Sequence, residues 1–395
     1  MKITNGNNMR VGIDCQEIFD VKTGRGAGIG RYIFYLARAL LQQNRAETKF
    51  VLFFNKKVSN ETIDALKKRG EFETIFVGNK IPFFSRHVYF PWLIKDSNVD
   101  HIIFPANVMP FFCFQRALVI IHDLAIYLRP EWFPRQFFAT KILVPFSLIK
   151  ARKIVAVSNN TKKDIFKIFP NVEVEKVVVI YPGAGLSNIG NLSSEAFAKE
   201  DPAASLPETR CDNVKRGNYL VFVGTLEPRK NIINLLRAFV KYLDETNDDV
   251  KLKLVSAWGW KTDEIRRELR AAQEKCPGTI EVIGALGDEE KTKIIARAKA
   301  LLMPSFYEGF GLPIIEAMKL GTPVVCGNNS SMKEIAGDAA ILVDVENVSE
   351  LKEAIKKILC DKPFAEELVR RGREVAKQFS WNNAAKEILE INVQD

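Results

Sequence analysis

The chain alternates short apolar runs with helix-forming stretches along most of its 395 residues. Runs such as MRVGID (9–14) and KIVAVS (153–158) are almost continuously apolar, which is typical of parallel strands buried on both faces. The stretches between them, such as GRYIFYLARALLQQ (30–43), carry apolar residues at helical spacing. This alternation predicts an α/β fold in which helices cover both faces of parallel sheets.

A polar segment rich in Ser, Pro and Asp interrupts the alternation at 187–217, and the pattern resumes with NYLVFVG at 218–224. The length of the chain also suits two domains better than one. We therefore predict two doubly wound, Rossmann-like domains, at 1–186 and 218–378, that face each other across a cleft. Ligands of such domains bind at the carboxyl ends of the strands, so a cleft of this kind is the expected site.

Charge and composition narrow the function classes. The formal net charge is +9, which favours acidic partners such as phosphorylated substrates or an anionic membrane surface. No nucleic-acid recognition motif accompanies this charge, and no apolar run approaches membrane-spanning length. The N-terminus lacks the apolar core of a signal peptide, and six widely spaced cysteines read as free thiols. We expect a cytoplasmic protein and leave contact with the inner face of the cell membrane open.

The stretch SFYEGFGLPIIEAMKLGTPVV (305–325) predicts a glycine-rich turn that opens a short helix. Gly309 and Gly311 allow a positive φ and close approach of a ligand, and Pro313 suits the start of a helix. The free N–H groups of such a turn attract anions, helped by the helix dipole. The turn is therefore a candidate anion site.

Two carboxylates flank this candidate anion site. Glu308 lies just before the turn, and Glu316 is expected in the first turn of the helix. Because an acid repels an anion, these carboxylates should accept hydrogen bonds from uncharged hydroxyl groups of the same ligand. An anion with polyols on both sides describes a nucleotide sugar. The alternative is that Glu316 merely favours the helix N-terminus and that Glu308 is solvated.

A second cluster occurs in FVGTLEPRKNIINLLRAF (222–239). Arg229 and Lys230 are expected to open a helix that begins near Asn231, where cations oppose the helix dipole. A bound diphosphate would explain them, since Arg provides a fork of donors and Lys a point charge. A solvated basic turn is the alternative.

The N-terminal half contains two weaker candidates. GRGAGIGRYIFYLARAL (24–40) follows the first strand, and Gly28 or Gly30 in it could approach a phosphate or an acceptor. The loop lacks the acid expected of a dinucleotide site, and a merely flexible loop is the alternative. His122 follows an apolar strand and is a candidate hydrogen-bond donor near a reaction centre, or else a structural histidine. No His or Cys cluster has metal-ligand spacing, so we predict no metal.

These motifs together resemble family 4 of the retaining glycosyltransferases, which have the GT-B fold. The specific part is YEGFGLPIIEAM, joined to GTLEPRKN and SSMKEIAGDAAILVD. The GIGRY and HDL signatures are similar to those of bacterial mannosyltransferases that extend O-antigen and related polysaccharides. The resemblance covers most of the chain outside 187–217. It implies that 1–186 binds the acceptor, that 218–378 binds the donor, and that a helix within 379–395 crosses back to the first domain.

The resemblance also implies roles for the candidate residues. Glu308 would contact hydroxyls of the donor sugar, and Glu316 would hold the ribose diol. Arg229 and Lys230 would neutralise the diphosphate. His122 would lie beside the sugar. The remaining positions are those that would approach sugar or phosphate through the backbone, namely Gly28, Gly30, Gly309, Phe310, Gly311 and Leu312.

The predicted reaction is transfer of a hexose from a nucleoside diphosphate sugar to a hydroxyl of a saccharide or lipid-linked saccharide, with retention and without a metal. GDP-mannose is the expected donor. A UDP-sugar-dependent glucosyl- or GlcNAc-type transferase, a retaining phosphorylase and a two-domain sugar-binding protein remain alternatives. A glycosidase is disfavoured because it needs no diphosphate clamp. Oligomeric state is not readable from the sequence.

The stretch FFSRHVYFPWLIK (83–95) has two interpretations. It could form an aromatic, basic face on the first domain that meets an anionic membrane. The more frequent arrangement for such a stretch is a core helix with Phe90 and Trp92 inside.

Overall fold

The computed structural model describes residues 9–24, 26, 28–43, 48–78, 82–135, 139–185 and 216–393. Two compact units divide the chain: Met1–Gly183 with Ser380–Asp395 form unit 1, and Ala184–Phe379 form unit 2. The segment that we predicted as a linker, 187–217, lies outside the described residues except for its last two positions.

Unit 1 is built on a parallel sheet whose seven described strands follow the order β3-β2-β1-β4-β5-β6-β7. Its central strands are the apolar runs that the sequence predicted. The edge strands β3 and β7 were not predicted, because they are short and only partly buried. The bounds are β1 (Met9–Asp14), β2 (Thr48–Asn55), β3 (Glu73–Val77), β4 (His101–Phe104), β5 (Arg116–Ile121), β6 (Lys153–Ala156) and β7 (Val177–Val179).

Helices cover the sheet of unit 1. Ten of the fourteen residues of helix α1 are buried, including the continuous run 32–37, so this helix is covered on more than one side. A π-helical turn at Ser85–Tyr89 joins α3 to α4. The bounds are α1 (Ile29–Gln42), α2 (Asn60–Lys67), α3 (Pro82–Phe84), α4 (Phe90–Asp96), α5 (Ala125–Leu128), α6 (Thr140–Lys150) and α7 (Asn159–Ile168).

Unit 2 repeats the architecture with a parallel sheet in the order β10-β9-β8-β11-β12-β13. The strands are β8 (Tyr219–Val223), β9 (Lys251–Val255), β10 (Ile280–Ile283), β11 (Ala300–Met303), β12 (Val324–Gly327) and β13 (Ile341–Val343). The helices are α8 (Ile232–Thr246), α9 (Asp263–Lys275), α10 (Asp288–Arg297), α11 (Leu312–Lys319), α12 (Ser330–Ala336), α13 (Val348–Cys360) and α14 (Lys362–Lys377). The prediction of two doubly wound α/β domains is confirmed.

Strand order fixes where each unit can bind a ligand. In unit 2 the chain runs from β8 outward to β10 and then returns to β11 on the other side of β8. The loops after β8 and β11 therefore diverge at a switch point, which leaves a crevice beyond the carboxyl ends of the strands. In unit 1 the same reversal occurs between β1 and β4.

The last helix, α15 (Trp381–Val393), belongs to unit 1 and packs on α1. The indole of Trp381 stacks on Tyr35 with ring centroids 6.0 Å apart and meets Tyr32 edge-on at 5.0 Å. The aromatic contacts attach the end of the chain to the core of unit 1.

The stretch 83–95 differs from the core helix that we considered the more frequent arrangement. Phe90 is completely buried, but Trp92 is 54% exposed. Phe90 and Trp92 are two positions apart in α4, which places them about 200° apart around the helix axis, so they cannot both face inward. No helix in the described part of the chain is both long and apolar enough to cross a membrane.

Candidate functional site

The loop after β8 carries Arg229 and Lys230. They lie in a 3₁₀ turn at Pro228–Lys230, directly before α8, rather than in the helix itself. Asn231 follows in the left-handed conformation (φ 56°), which Asn tolerates better than most residues. Its side-chain amide donates to the carbonyl oxygens of Pro304 (3.1 Å) and Val345 (2.7 Å). This buried amide therefore fixes the basic turn against two neighbouring loops.

The loop after β11 carries the glycine-rich turn. Gly311 adopts φ 97° and caps the N-terminus of α11, which explains the glycine at this position. Gly309 does not take a positive φ, so the backbone freedom that we expected it to use is not needed there. Glu316 is the fifth residue of α11 and lies in the second turn, not in the first as predicted, because the helix begins at Leu312.

Glu308 joins these two loops. Its carboxylate accepts a hydrogen bond from Arg229 Nη1 at 2.9 Å and one from Lys230 Nζ at 2.5 Å. Arg229 also donates to Glu227 and to the carbonyl oxygen of Tyr307. Two cations and two carboxylates, all largely buried, thus form one compact network.

Burial alone would raise the pKa of Glu308, but the opposing effect of the cations is larger. Lys230 and Arg229 lower this pKa from 4.5 to about 2, so the carboxylate stays ionised at neutral pH. The sequence placed these three residues in one site, but it did not predict that they form ion pairs with one another. A buried carboxylate with two cationic partners can hold those cations in position for an incoming anion.

The carboxylate of Glu316 is paired with a cation that sequence reasoning missed. Lys291 of α10 donates to Glu316 Oε1 at 2.7 Å, and both side chains are almost fully buried. Asp288, one turn earlier in α10, lies 3.9 Å from the same ammonium group. The sequence contained one indication of this buried cation: Lys291 lies one helical turn before Ile295, on the apolar side of α10.

The start of α12, which follows β12, supplies two serines that were also missed as site residues. Ser330 accepts a hydrogen bond from the backbone N–H of Glu308 at 3.1 Å. The hydroxyl of Ser331 donates to the carbonyl oxygens of Glu308 (2.8 Å) and Phe310 (3.0 Å). These bonds hold the glycine-rich turn in a defined shape. In the sequence, the polar residues that directly follow a buried strand in CGNNSSM could have indicated these serines.

The other residues of unit 2 that we expected to contact a ligand through their backbone lie in or directly after the glycine-rich turn. Phe310 packs its ring edge-on against Phe379 at 5.6 Å, so its side chain belongs to the core while its amide lies in the turn. Gly309 is buried, and Leu312 begins α11. The structure therefore brings the candidate residues of unit 2 together at its switch point.

The remaining candidates lie in unit 1. Gly28 caps α1 with φ 58°, and a side chain there would enter open space. Gly30 is buried, and a Cβ at this position would come within 2.8 Å of the carbonyl oxygen of Glu17. Close packing thus requires glycine at position 30, whereas position 28 requires it for its backbone conformation.

His122 is held tightly at the end of β5. Its Nε2 lies 2.7 Å from the carbonyl oxygen of Pro105, and its ring meets Tyr32 edge-on at 4.5 Å. Burial lowers the pKa of His122. The hydrogen bond to the Pro105 carbonyl and the charge of Asp123 act in the opposite direction, but their effect is smaller. Tyr32 also belongs to α1, so the histidine and the glycine-rich helix start are structurally linked within unit 1.

No cluster of three potential metal ligands occurs among His, Cys, Asp and Glu of the described residues. Unit 2 provides paired charges and a glycine-capped helix start. Such groups can bind an anion and stabilise negative charge that develops on it.

Residues 210–375 match the protein family described as Glycosyl transferases group 1. The O-antigen chain mannosyltransferase B of Escherichia coli is 30% identical over 376 residues, which are 92% of this chain and 94% of that relative. The serotype-specific mannosyltransferase WbdA of Escherichia coli is 26% identical over 294 residues, which are 72% of this chain but 34% of the longer relative.

Among solved structures, WaaG, a glycosyltransferase involved in lipopolysaccharide biosynthesis, aligns with a TM-score of 0.69. The alignment covers 98% of this chain and 100% of WaaG at 16% sequence identity. At that identity, the likeness shows a common fold.

Proposed function

Because the chain belongs to the group 1 glycosyl transferases and is a glycosyltransferase with the GT-B fold, we propose that it transfers mannose from GDP-mannose to a hydroxyl group. The proposed acceptor is a saccharide or a lipid-linked saccharide, and the anomeric configuration is retained. The choice of mannose is supported by the relatives named as O-antigen mannosyltransferases. The observation that carries the reaction type is the buried network of Arg229, Lys230 and Glu308 at the switch point of unit 2.

In this proposal Arg229 and Lys230 bind the donor diphosphate. Lys230 has more donors than its bond to Glu308 uses, because an ammonium carries three N–H groups. Lys230 can therefore contact a phosphate oxygen while Glu308 still holds it in place, whereas Arg229, which already donates to Glu227, Tyr307 and Glu308, contributes mainly its positive charge. As the glycosidic bond breaks, negative charge grows on the leaving diphosphate, and these cations stabilise it without reorganising.

The N-terminus of α11 supports the same charge. In this proposal the diphosphate lies at the start of α11, which begins at Leu312, where the helix dipole favours an anion. Glu316 accepts hydrogen bonds from the ribose diol, and Lys291 holds its Oε1 in a fixed orientation. Glu308 contributes a second acceptor for hydroxyls of the sugar. Charge stabilisation by these groups requires no metal ion in the proposed mechanism.

We assign the acceptor side to unit 1. We propose that His122 contacts a sugar and that the helix start at Gly28 and Gly30 contacts a phosphate. Since Nε2 of His122 already bonds the Pro105 carbonyl, a contact with the sugar would use the other ring nitrogen. The burial that lowers the pKa of His122 keeps the ring uncharged, so it acts through hydrogen bonding.

A binding screen tests which nucleotide sugar is the donor. GDP, UDP, ADP and their hexose conjugates are compared by thermal shift and then by calorimetry, in the presence of EDTA. Selective binding of GDP and GDP-mannose is the expected result. Selective binding of a UDP-sugar would replace the donor and keep the reaction type. If no nucleotide binds but free phosphate or sugar does, a phosphorylase or a sugar-binding protein replaces the transferase.

A substitution of Lys230 tests the proposed binding of the diphosphate by Arg229 and Lys230. Lys230→Ala removes one of the two charges proposed to stabilise the leaving group, so kcat should fall by about 10²–10³-fold. Lys251→Ala is the matched control, because Lys251 is a half-exposed lysine of the same unit that pairs with Glu281. Turnover of Lys230→Ala close to that of the control would refute the role assigned to this lysine.

A further inference from the structure

Ser330 has a backbone conformation that is unusual for a serine. It begins α12 with φ 48°, in the left-handed region, whereas a right-handed helix needs a φ of about −60°. Six non-glycine residues in the described part of the chain have a positive φ, and four of them are asparagines, which tolerate it better than serine does. Glycine would adopt this conformation without strain, so any benefit of the serine must come from its hydroxyl group.

The hydroxyl group of Ser330 connects the start of α12 to the glycine-rich turn. Its oxygen accepts the backbone N–H of Glu308 at 3.1 Å, and the group donates to Asn329 Oδ1 at 3.4 Å. The side-chain amide of Asn329 in turn donates to the carbonyl oxygen of Phe306 at 3.2 Å. Because the hydroxyl proton is directed to Asn329, a lone pair of Ser330 Oγ remains for the N–H of Glu308.

The residue that donates to Ser330 is the carboxylate at the centre of the buried charge network. The backbone of Glu308 is fixed at its N–H by Ser330 and at its carbonyl oxygen by the hydroxyl of Ser331, 2.8 Å away. From this fixed backbone the side chain reaches Arg229 and Lys230. The backbone position of Glu308 therefore sets the position of both cations.

We propose that Ser330 is a positioning residue for glycosyl transfer, which fixes the carboxylate of Glu308 and, through it, Arg229 and Lys230. The inference rests on the role that the proposed function gives to these three residues. Charge stabilisation depends on groups held in place before the reaction, and a displacement of about 1 Å can lower a rate about 10²-fold. The two parts of Ser330 thus have opposite effects: its hydroxyl supports activity, while its left-handed backbone lowers stability.

Two substitutions separate these effects. Ser330→Gly removes the hydroxyl and the backbone strain together, whereas Ser330→Ala removes the hydroxyl and keeps the strain. Ser330→Gly should therefore melt about 3 °C or more above Ser330→Ala. Both should lower kcat about tenfold or more, with the KM for the donor changed less than about twofold. A residue with a merely structural role would instead lose activity in proportion to its loss of stability.

The activity assay measures release of GDP from GDP-mannose with a mannose disaccharide as acceptor. Glu308→Gln is measured in parallel, so that the proposed function and the role of Ser330 are tested separately. If Glu308→Gln keeps the wild-type kcat, the proposed role of Glu308 fails. If Glu308→Gln loses activity and Ser330→Gly does not, only the role of Ser330 is refuted.

Hydrogen exchange of the Glu308 N–H tests the positioning without any substrate. In both Ser330 variants this amide should exchange about tenfold faster or more, because it has lost its acceptor. The N–H of Phe306 is the internal reference, since it donates to the carbonyl oxygen of Arg229 at 2.9 Å and should exchange as in the wild type. Unchanged exchange of the Glu308 N–H would overturn the proposal, even if the wild type releases no GDP from GDP-mannose.

Asn247→Gly is the matched control for relief of backbone strain. Asn247 follows α8 in the same left-handed region, with φ 53°, and it is exposed. This variant should keep the wild-type kcat and the wild-type exchange of the Glu308 N–H. An equal loss of kcat in Asn247→Gly and Ser330→Gly would show that the loss does not come from the hydroxyl of Ser330 and would refute the proposal.

Discussion

Replacing Glu308 with glutamine removes the negative charge that holds Arg229 and Lys230 together. Glutamine has nearly the same shape, so the change isolates charge from packing. The variant leaves two largely buried cations with Glu227 as the remaining carboxylate of the network. Breaking a buried ion pair by removing one partner costs about 3–5 kcal/mol, because an uncompensated charge remains in the interior.

The pKa of Glu308 gives an independent magnitude. Lowering this pKa from 4.5 to about 2 corresponds to about 3 kcal/mol of stabilisation of the ionised form. Because the folded-state pKa is the lower one, this stability is fully present above about pH 4.5 and is lost as the pH falls toward 2. Near pH 3 about 2 kcal/mol of it should already be gone. The stability difference between wild type and Glu308→Gln should therefore shrink over this window.

Native-state hydrogen exchange of the α11 amides measures the opening free energy of unit 2 without assuming that both units unfold together. Urea titrations at several pH values extend the comparison to acid conditions. Glu268→Gln is the control, because its pair with Arg237 is partly exposed and should contribute at most about 1 kcal/mol. A loss of less than 1 kcal/mol for Glu308→Gln, or a difference that does not change between neutral pH and pH 3, would refute the reasoning.

Three other changes have expected outcomes. Lys291→Met should lower the free energy of unfolding, measured in urea, by about 3 kcal/mol, because it leaves Glu316 buried without its cation. The double variant Lys291→Met with Glu316→Gln should recover most of that free energy. If the second substitution does not reduce the loss, the pairing of Lys291 with Glu316 is contradicted. Gly311→Ala should lower stability by about 1–2 kcal/mol, since φ is 97° there, and an unchanged melting temperature would count against this backbone conformation. His122 should be uncharged at pH 7 with its proton on Nε2, because a carbonyl can only accept; ¹⁵N NMR that shows the Nδ1–H tautomer or a charged ring contradicts this.

Local patterns in the sequence are sufficient to identify the strands and the helix starts of this fold. Continuous apolar runs such as 9–14 and 324–327 are sufficient to identify buried parallel strands, because a strand covered on both faces has no polar side. Gly311, Pro313 and the apolar residues after them likewise identify the start of α11. The parallel sheets then place every such loop at the same edge of its sheet, so Arg229 and Glu308 could be assigned to one site before their contact was known.

Only the tertiary structure decided which charges are paired. Lys291 and Glu316 are 25 positions apart, and nothing local distinguishes this lysine from a solvated one except its place on the apolar side of α10. Phe90 and Trp92 lie on opposite sides of α4, and only the packing of that helix decides that Phe90 is buried and Trp92 exposed. Pattern and propensity act over a few residues, whereas the energy of a buried charge depends on partners that folding brings near from distant parts of the chain. The sequence therefore determined the two folds and the location of the proposed donor site, and the tertiary structure determined the ion pairs between its residues.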